Sequence, residues 1–107
     1  MKFLMLTLTL VLSTIFSSAY AAEPVWIDVR SAAEFSSGAV EGAVNIPHNV
    51  IAEEIGKVVA DKDTQINLYC RSGRRAGWAM ESLNQLGYSK VTNYGGYEAA
   101  KAAYQKQ

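Results

Sequence analysis

Cysteine and histidine are almost absent from this sequence, since each occurs once in 107 residues. The single cysteine, Cys70, cannot form a disulfide within the chain and has no second thiol for a Cys-x-x-Cys redox pair. One cysteine and one histidine also provide too few ligands for a metal site with the usual spacing. We therefore expect neither a metal nor another cofactor.

An excess of charge of one sign is lacking as well, because ten Lys and Arg residues balance ten Asp and Glu residues. This balance argues against nucleic acid as a partner and against stable association with an anionic membrane. Residues 22–107 contain no internal repeat, low-complexity tract or linker. They are expected to form one small domain.

The amino-terminal segment has the pattern of a cleavable secretory signal. Met1-Lys2 gives a short positive region, an apolar run extends from Phe3 to Phe16, and Ala19-Tyr20-Ala21 offers small residues for cleavage. The apolar run is shorter than the roughly 20 residues that span a bilayer. The sequence therefore predicts a signal peptide at 1–21, a mature domain at 22–107 and a periplasmic location.

Strand-like and helix-like segments alternate through the mature region. Apolar and β-branched runs predict strands at 25–29, 42–46, 66–69 and 90–94. Helical spacing predicts helices at 31–38, from Asn49 to about 59, at 75–86 and at 97–104. This alternation predicts a single α/β domain with a mainly parallel sheet and helices on both faces.

Local signals mark the ends of these elements. Ser31 and Glu34 have the spacing of a capping box at the start of the first helix. Asn49 is a candidate cap for the second helix, and Gly87 is expected to end the third. Gly95-Gly96 is expected to form a turn before the last helix.

Cys70 opens the segment Cys70-Arg71-Ser72-Gly73-Arg74-Arg75, which holds three of the four arginines in the chain. Nearby cationic groups favour the thiolate, which is the nucleophilic form of cysteine. Gly73 permits a tight turn in which several backbone N–H groups can point at one centre. A strand before Cys70 and a helix after it would place the thiol at the positive end of a helix dipole. The pattern favours a reactive thiol with a small anionic ligand over an inert, buried cysteine.

Four motifs, in their usual order, resemble those of the rhodanese, or sulfurtransferase, domain family. They are Trp26-Ile27-Asp28-Val29-Arg30 with Glu34-Phe35, Gly42-Ala43-Val44-Asn45-Ile46-Pro47, Tyr69-Cys70-Arg71-Ser72-Gly73-Arg74-Arg75-Ala76, and Val91-Thr92-Asn93-Tyr94-Gly95-Gly96-Tyr97. Together they cover nearly all of the mature region. Two positions depart from the family pattern, because Ala39 replaces a usual histidine and Ala76 replaces a frequent serine.

The resemblance implies a thiosulfate sulfurtransferase of the rhodanese type. Cys70 would take the outer sulfur from a thiosulfate-like donor, hold it as a persulfide and pass it to cyanide or a thiol acceptor. Substrate binding would fall to the amides and side chains of the loop residues Arg71, Ser72, Gly73, Arg74 and Arg75. Asp28 and Arg30 would have a supporting role, as an ion pair at a strand end. Which loop arginine contacts the substrate is left open.

Two other functions are compatible with a cysteine in a loop of N–H donors. A cysteine-dependent phosphatase or arsenate reductase would place an arginine six positions after the cysteine, where this chain has Ala76, and Arg75 comes one residue early. A non-enzymatic rhodanese-like binding module is a second alternative. Such modules often lack the cysteine, so the presence of Cys70 favours the enzyme.

Overall fold

The computed structural model describes residues 23–107, and the predicted signal peptide lies outside the described residues. The strands are β1 (Val25–Asp28), β2 (Val44–Asn45), β3 (Ile66–Cys70) and β4 (Val91–Gly96). The α-helices are α1 (Ala32–Ser36), α2 (Ile51–Val58), α3 (Arg74–Gln85) and α4 (Tyr97–Gln105), and a short 3-10 helix, His48–Val50, precedes α2. None of the helices within residues 23–107 is long and apolar enough to cross a membrane.

The four strands form one sheet in the order β2-β1-β3-β4, and each neighbouring pair is parallel. The predicted α/β fold with a parallel sheet is therefore confirmed. All five residues of the central strand β3 are buried, as expected for a parallel strand covered on both faces. Because the strands are parallel, their carboxyl ends share one edge, and Cys70 lies at that edge.

Side chains of the central strands alternate between two cores. On one face, an aliphatic core packs against α2 and α3; it includes the strand residues Ile27, Leu68 and Cys70, and Val29 directly after β1. On the other face, Trp26 and Tyr69 pack with Ala100 of α4 and with partly buried tyrosines. The predicted helices on both faces are confirmed, and the thiol lies on the aliphatic side beneath α3.

Two of the predicted end signals are confirmed. Ser31 caps α1, with both hydrogen bonds of the Ser31–Glu34 capping box present. After α3, Gly87 has a φ of +101°, and the N–H of Tyr88 donates to the carbonyl of Leu83 at 3.0 Å. That pairing closes the helix end as a Schellman motif does.

Two other predictions are wrong. Asn49 does not cap α2, because it lies inside the 3-10 helix His48–Val50 that precedes α2. Val50 occupies the cap position instead. Gly95 and Gly96 do not form a separate turn, because β4 continues to Gly96, which pairs with Cys70. Leu68 pairs with Asn93 and Cys70 pairs with Gly96, so β4 has one residue more than β3 in this interval and the ladder is irregular there.

Candidate active site

The Cys70 sulfur lies at the carboxyl end of β3 and accepts hydrogen bonds from the backbone of the following loop. The N–H of Gly73 donates to Sγ at 2.9 Å, and the N–H of Ala76 donates at 3.4 Å. The side chain has no exposed surface. The loop therefore wraps the sulfur with donors, as the position of Gly73 in the sequence predicts.

The loop adopts this shape because glycine occupies two positions at which a side chain would meet another backbone segment, Gly73 and Gly96. Gly73 precedes the first residue of α3 with a φ of +98°, a region that side chains disfavour. A Cβ on Gly73 would lie 3.1 Å from the Cα of Gly95. A Cβ on Gly96 would overlap the carbonyl oxygen of Arg71. The loop thus lies directly on the backbone of β4, which explains why small residues are needed on both sides.

The electrostatics of the loop act on the thiol in two opposing directions. Burial raises the pKa of Cys70, but hydrogen bonds from the backbone N–H groups of Ala76, Ser72, Gly73 and Arg75 outweigh burial and bring the pKa below its ordinary value. Cys70 therefore has more thiolate at a given pH than an ordinary cysteine. This thiolate is the form that attacks an electrophile.

The three loop arginines have different surroundings. Arg75 pairs with Glu34, its Nη1 and Nη2 lying 2.8 and 3.1 Å from the two carboxylate oxygens. The guanidinium of Arg74 lies over the ring of Trp78, 5.3 Å from the centroid. Arg71 is exposed, and among residues 23–107 it forms no ion pair. Arg71 is thus the loop arginine best placed to meet an incoming anion.

Asp28 and Arg30 form a buried ion pair at the end of β1. Nη2 of Arg30 donates to Oδ2 of Asp28 at 2.6 Å, and Nε lies 2.9 and 3.0 Å from the two carboxylate oxygens. Arg30 also donates to the carbonyl of Gly38 at 2.6 Å and lies over the ring of Tyr97. The ion pair is as predicted, and its contacts tie β1 to the segment after α1.

A cavity of about 540 Å³ opens beside the loop. Its lining includes Arg30, Glu34, Gly38, Arg71, Gly96 and Tyr97. Cys70 itself does not line the cavity, but the next residue in the chain, Arg71, does. The cavity is large enough for a small anion with its hydration, and it brings Arg30 and Arg71 to the same space.

Sequence reasoning missed two residues that hold the loop. It gave Glu34 only a capping role, whereas Glu34 also binds Arg75, 41 positions away. It gave Asn93 no role, whereas its side-chain amide donates to the carbonyl of Gly73 at 2.9 Å. The signal for Asn93 is its position two residues before Gly95, the spacing of a side-chain turn, and the N–H of Gly95 donates to Oδ1 at 2.8 Å.

Comparisons with a family profile, with protein sequences and with solved structures all indicate the same family. Residues 15–103 match the profile of the rhodanese-like domain. The chain is 40% identical over 87 residues to thiosulfate sulfurtransferase PspE of Escherichia coli K12, covering 81% of this chain and 84% of that protein. It is 36% identical over 70 residues to a sulfurtransferase of Allochromatium vinosum, covering 65% and 64% of the two chains. A solved rhodanese with anions from E. coli superimposes with a TM-score of 0.70 at 39% identity, covering 72% of this chain and 91% of that one.

Proposed function

This chain belongs to the rhodanese-like domain family and is a sulfurtransferase of the rhodanese type, and from that premise we propose that it transfers sulfane sulfur through a persulfide on Cys70. The observation that carries the proposal is the set of backbone N–H groups around the Cys70 sulfur, with Gly73 at 2.9 Å and Ala76 at 3.4 Å. Those donors suit a sulfur that carries negative charge before and after the transfer.

The proposed reaction has two half-reactions. The Cys70 thiolate attacks the outer sulfur of thiosulfate or a similar donor, the sulfur–sulfur bond of the donor breaks, and sulfite leaves with the bonding electron pair. The product on the enzyme is a cysteine persulfide. A nucleophilic acceptor, cyanide or a thiolate, then attacks the outer sulfur, and the Cys70 thiolate leaves with its electron pair. The enzyme returns to its starting state with no net redox change.

The loop supplies most of what these steps require. The N–H groups of Gly73 and Ala76, which already point at the sulfur, stabilise the charge on the persulfide. Arg71 attracts the anionic donor and stabilises the departing sulfite. Arg75 contributes its backbone N–H group, and both Arg74 and Arg75 contribute positive charge near the loop, while their guanidinium groups are held by Trp78 and Glu34. Asp28 and Arg30 support the wall of the cavity.

Access to the sulfur requires a small movement of the loop. Cys70 is fully covered, whereas Arg71 and Ser72 directly after it are exposed. A donor that first binds at Arg71 can reach the sulfur when these two residues move aside. Small donors are therefore favoured over bulky ones.

The phosphatase and arsenate reductase alternative is less well supported. The sixth position after the cysteine is Ala76, which offers only its N–H to the sulfur. Arg75, the nearest arginine, binds Glu34 and is not free to clamp a tetrahedral oxyanion. A direct comparison of thiosulfate and an aryl phosphate as substrates should give faster turnover of thiosulfate. Faster hydrolysis of the phosphate would reverse this ranking.

We also propose that residues 1–21 are removed on export and that the enzyme acts in the periplasm. The support is the charge and apolar pattern of residues 1–16 with Ala19-Tyr20-Ala21. Amino-terminal sequencing of the exported protein should begin at Ala22. A membrane-bound product that retains Met1 would refute the proposal.

Intact mass after incubation with thiosulfate tests the mechanism. The protein should gain the mass of one sulfur atom, and cyanide should remove that atom as thiocyanate. Cys70→Ser should abolish both changes, and full thiocyanate formation by this variant would refute the mechanism. Arg71→Ala should raise KM for thiosulfate by about tenfold, whereas the matched variant Arg74→Ala should change KM much less.

A further inference from the structure

The side chain of Asn93 joins the cysteine loop to the last strand of the sheet. Its Nδ2 donates to the carbonyl of Gly73 at 2.9 Å, and its Oδ1 accepts from the N–H of Gly95 at 2.8 Å. The partners dictate the orientation of the amide, because a carbonyl can only accept and an N–H can only donate. Both ends of the amide are therefore used, one on the loop and one on β4.

Gly73 is the residue whose N–H makes the shorter contact with the Cys70 sulfur. Its carbonyl accepts from Asn93 and also from the N–H of Gly77, at 2.9 Å. Glycine has the widest choice of backbone angles, so its left-handed φ of +98° must be held by neighbours. Fixing the carbonyl restricts rotation about the Gly73 backbone and so helps to fix the direction of the N–H.

The other contact of Asn93 holds the surface on which the loop lies. Gly95 has a φ of +87° at the irregularity of β4, and its N–H is tied back to Asn93. A Cβ on Gly73 would already crowd the Cα of Gly95 at 3.1 Å. The backbones of Gly73 and Gly95 therefore lie too close for a side chain to fit between them, and Asn93 is bonded to both.

We propose that Asn93 is a positioning residue for sulfur transfer, because it holds the Gly73 N–H on the Cys70 sulfur through the paired contacts with Gly73 and Gly95. Its role in turnover rests on the proposed function, whereas its role in setting thiolate formation does not. Asn93 touches neither the sulfur nor the substrate in this scheme. It acts through the loop, and only an amide provides the donor and the acceptor from one side chain of this length.

The test uses two variants of Asn93 and one control. Asn93→Ala removes both hydrogen bonds, and Asn93→Leu removes them while keeping the branched shape and the number of heavy atoms of the side chain. Thr92→Ala is the control, because Thr92 is the adjacent, exposed residue of the same strand. Circular dichroism establishes that each variant is folded before the reduced thiol is measured.

The first readout is the ultraviolet absorbance of the thiolate as a function of pH, with Cys70→Ser as the blank. Both Asn93 variants should raise the midpoint of this titration, and kcat/KM for thiosulfate should fall by about tenfold as the donors lose their alignment. Thr92→Ala should change neither. Folded Asn93 variants with a wild-type titration would overturn the proposal. If the wild-type protein itself transfers no sulfur from thiosulfate while the Asn93 variants still shift the titration, the proposed function is refuted and the positioning role stands.

A measurement on the wild-type protein covers the case in which both variants fail to fold. Hydrogen exchange of the Asn93 side-chain amide should be slow, because Nδ2 is bonded to Gly73. The side-chain amide of Asn84, an exposed residue of α3, is the internal reference and should exchange rapidly. Equal exchange rates for the two amides would overturn the proposal.

Discussion

The turn from β1 to α1 and the turn from β3 to α3 lie side by side at the carboxyl edge of the sheet, and they use their backbone N–H groups differently. In the first turn, Asp28 accepts from the N–H of Arg30 at 2.8 Å, and Ser31 accepts from the N–H of Glu34 at 3.2 Å. Glu34 in return accepts from the N–H of Ser31 at 3.0 Å. The side chains of this turn thus satisfy its own donors.

In the second turn the helix begins after Gly73, which has no side chain with which to cap it. The N–H groups of Gly73 and Ala76 point at the sulfur of Cys70 instead. The sulfur of Cys70 takes the place that a capping oxygen holds in the first turn. The same arrangement of strand, turn and helix is thus structural in one place and reactive in the other, according to which group accepts from the first N–H donors of the helix.

The two turns are also joined. Glu34, which completes the capping box of α1, receives the guanidinium of Arg75 from the first turn of α3. The structural turn therefore helps to fix the reactive one. Substitutions that act on one turn at a time should therefore affect stability and sulfur transfer to different extents.

The largest effect is expected from Asp28→Ala, which breaks the structural turn. Arg30 is only 7% exposed, and the loss of its partner would leave a nearly buried charge unpaired. The free energy of unfolding should fall by about 3–5 kcal/mol, measured by urea denaturation. Glu54→Ala, which removes an exposed pair with Lys57, should cost less than about 1 kcal/mol. Similar losses from the two variants would contradict the assignment of Asp28 to a buried structural pair.

The next effect concerns the reactive turn, where Gly73→Ala can be compared with Gly42→Ala. Both glycines have positive φ, +98° and +80°, but only Gly73 would bring its Cβ against another backbone, whereas Gly42 faces open space. Gly42→Ala should lower the free energy of unfolding by about 1 kcal/mol and leave sulfur transfer intact. Gly73→Ala should cost about 2 kcal/mol or more and should slow thiocyanate formation strongly. Equal activity in the two variants would argue against a special role for the Gly73 backbone.

A smaller effect is expected from Ser31→Ala. The loss of the cap should lower the free energy of unfolding by about 1 kcal/mol, measured by thermal or urea denaturation. Ser31→Thr retains a capping hydroxyl and should recover most of that stability. Sulfur transfer should stay within about twofold of the wild type, because the donors around Cys70 are unchanged. A large loss of activity would mean that the two turns are more tightly coupled than their single ion pair indicates.

The smallest effect is the pH dependence of the stability that comes from the ion pair of Glu34 with Arg75, which joins the two turns. The hydrogen bond with Arg75, followed by the backbone N–H of Ser31, lowers the pKa of Glu34 to about 2. Because the folded-state pKa lies below its ordinary value of 4.5, the carboxylate contributes stability above that pH, and this contribution is lost as the pH falls toward 2.

Denaturation of the wild type and of Glu34→Gln from pH 2 to pH 7 measures this contribution. The difference between their free energies of unfolding should be constant above about pH 5 and should shrink as the pH falls toward the folded-state pKa. A difference that grows on acidification would show that the sign is wrong.

Much of this arrangement was predictable from local sequence, and the remainder was not, for a physical reason. The strand that ends in Cys70, the capping box of Ser31 and the end of α3 at Gly87 all depend on residues within a few positions of one another. The contacts Glu34–Arg75 and Asn93–Gly73 join residues 41 and 20 positions apart, so only the packed sheet brings them together. Asn49 does not act as a cap because the chain forms a 3-10 helix directly after Pro47. The type of residue at position 49 does not by itself show that this short helix forms first.

The contact of Asn93 with Gly73 has a consequence for the time at which the thiol becomes reactive. The hydrogen bond from Asn93 to the Gly73 carbonyl joins the loop to a strand that follows it by about 20 residues in the chain, so this bond forms only once that strand has docked. Until that strand docks, the loop lacks the support that we propose for the Gly73 N–H, so the full acidity of Cys70 is expected only once the sheet is complete.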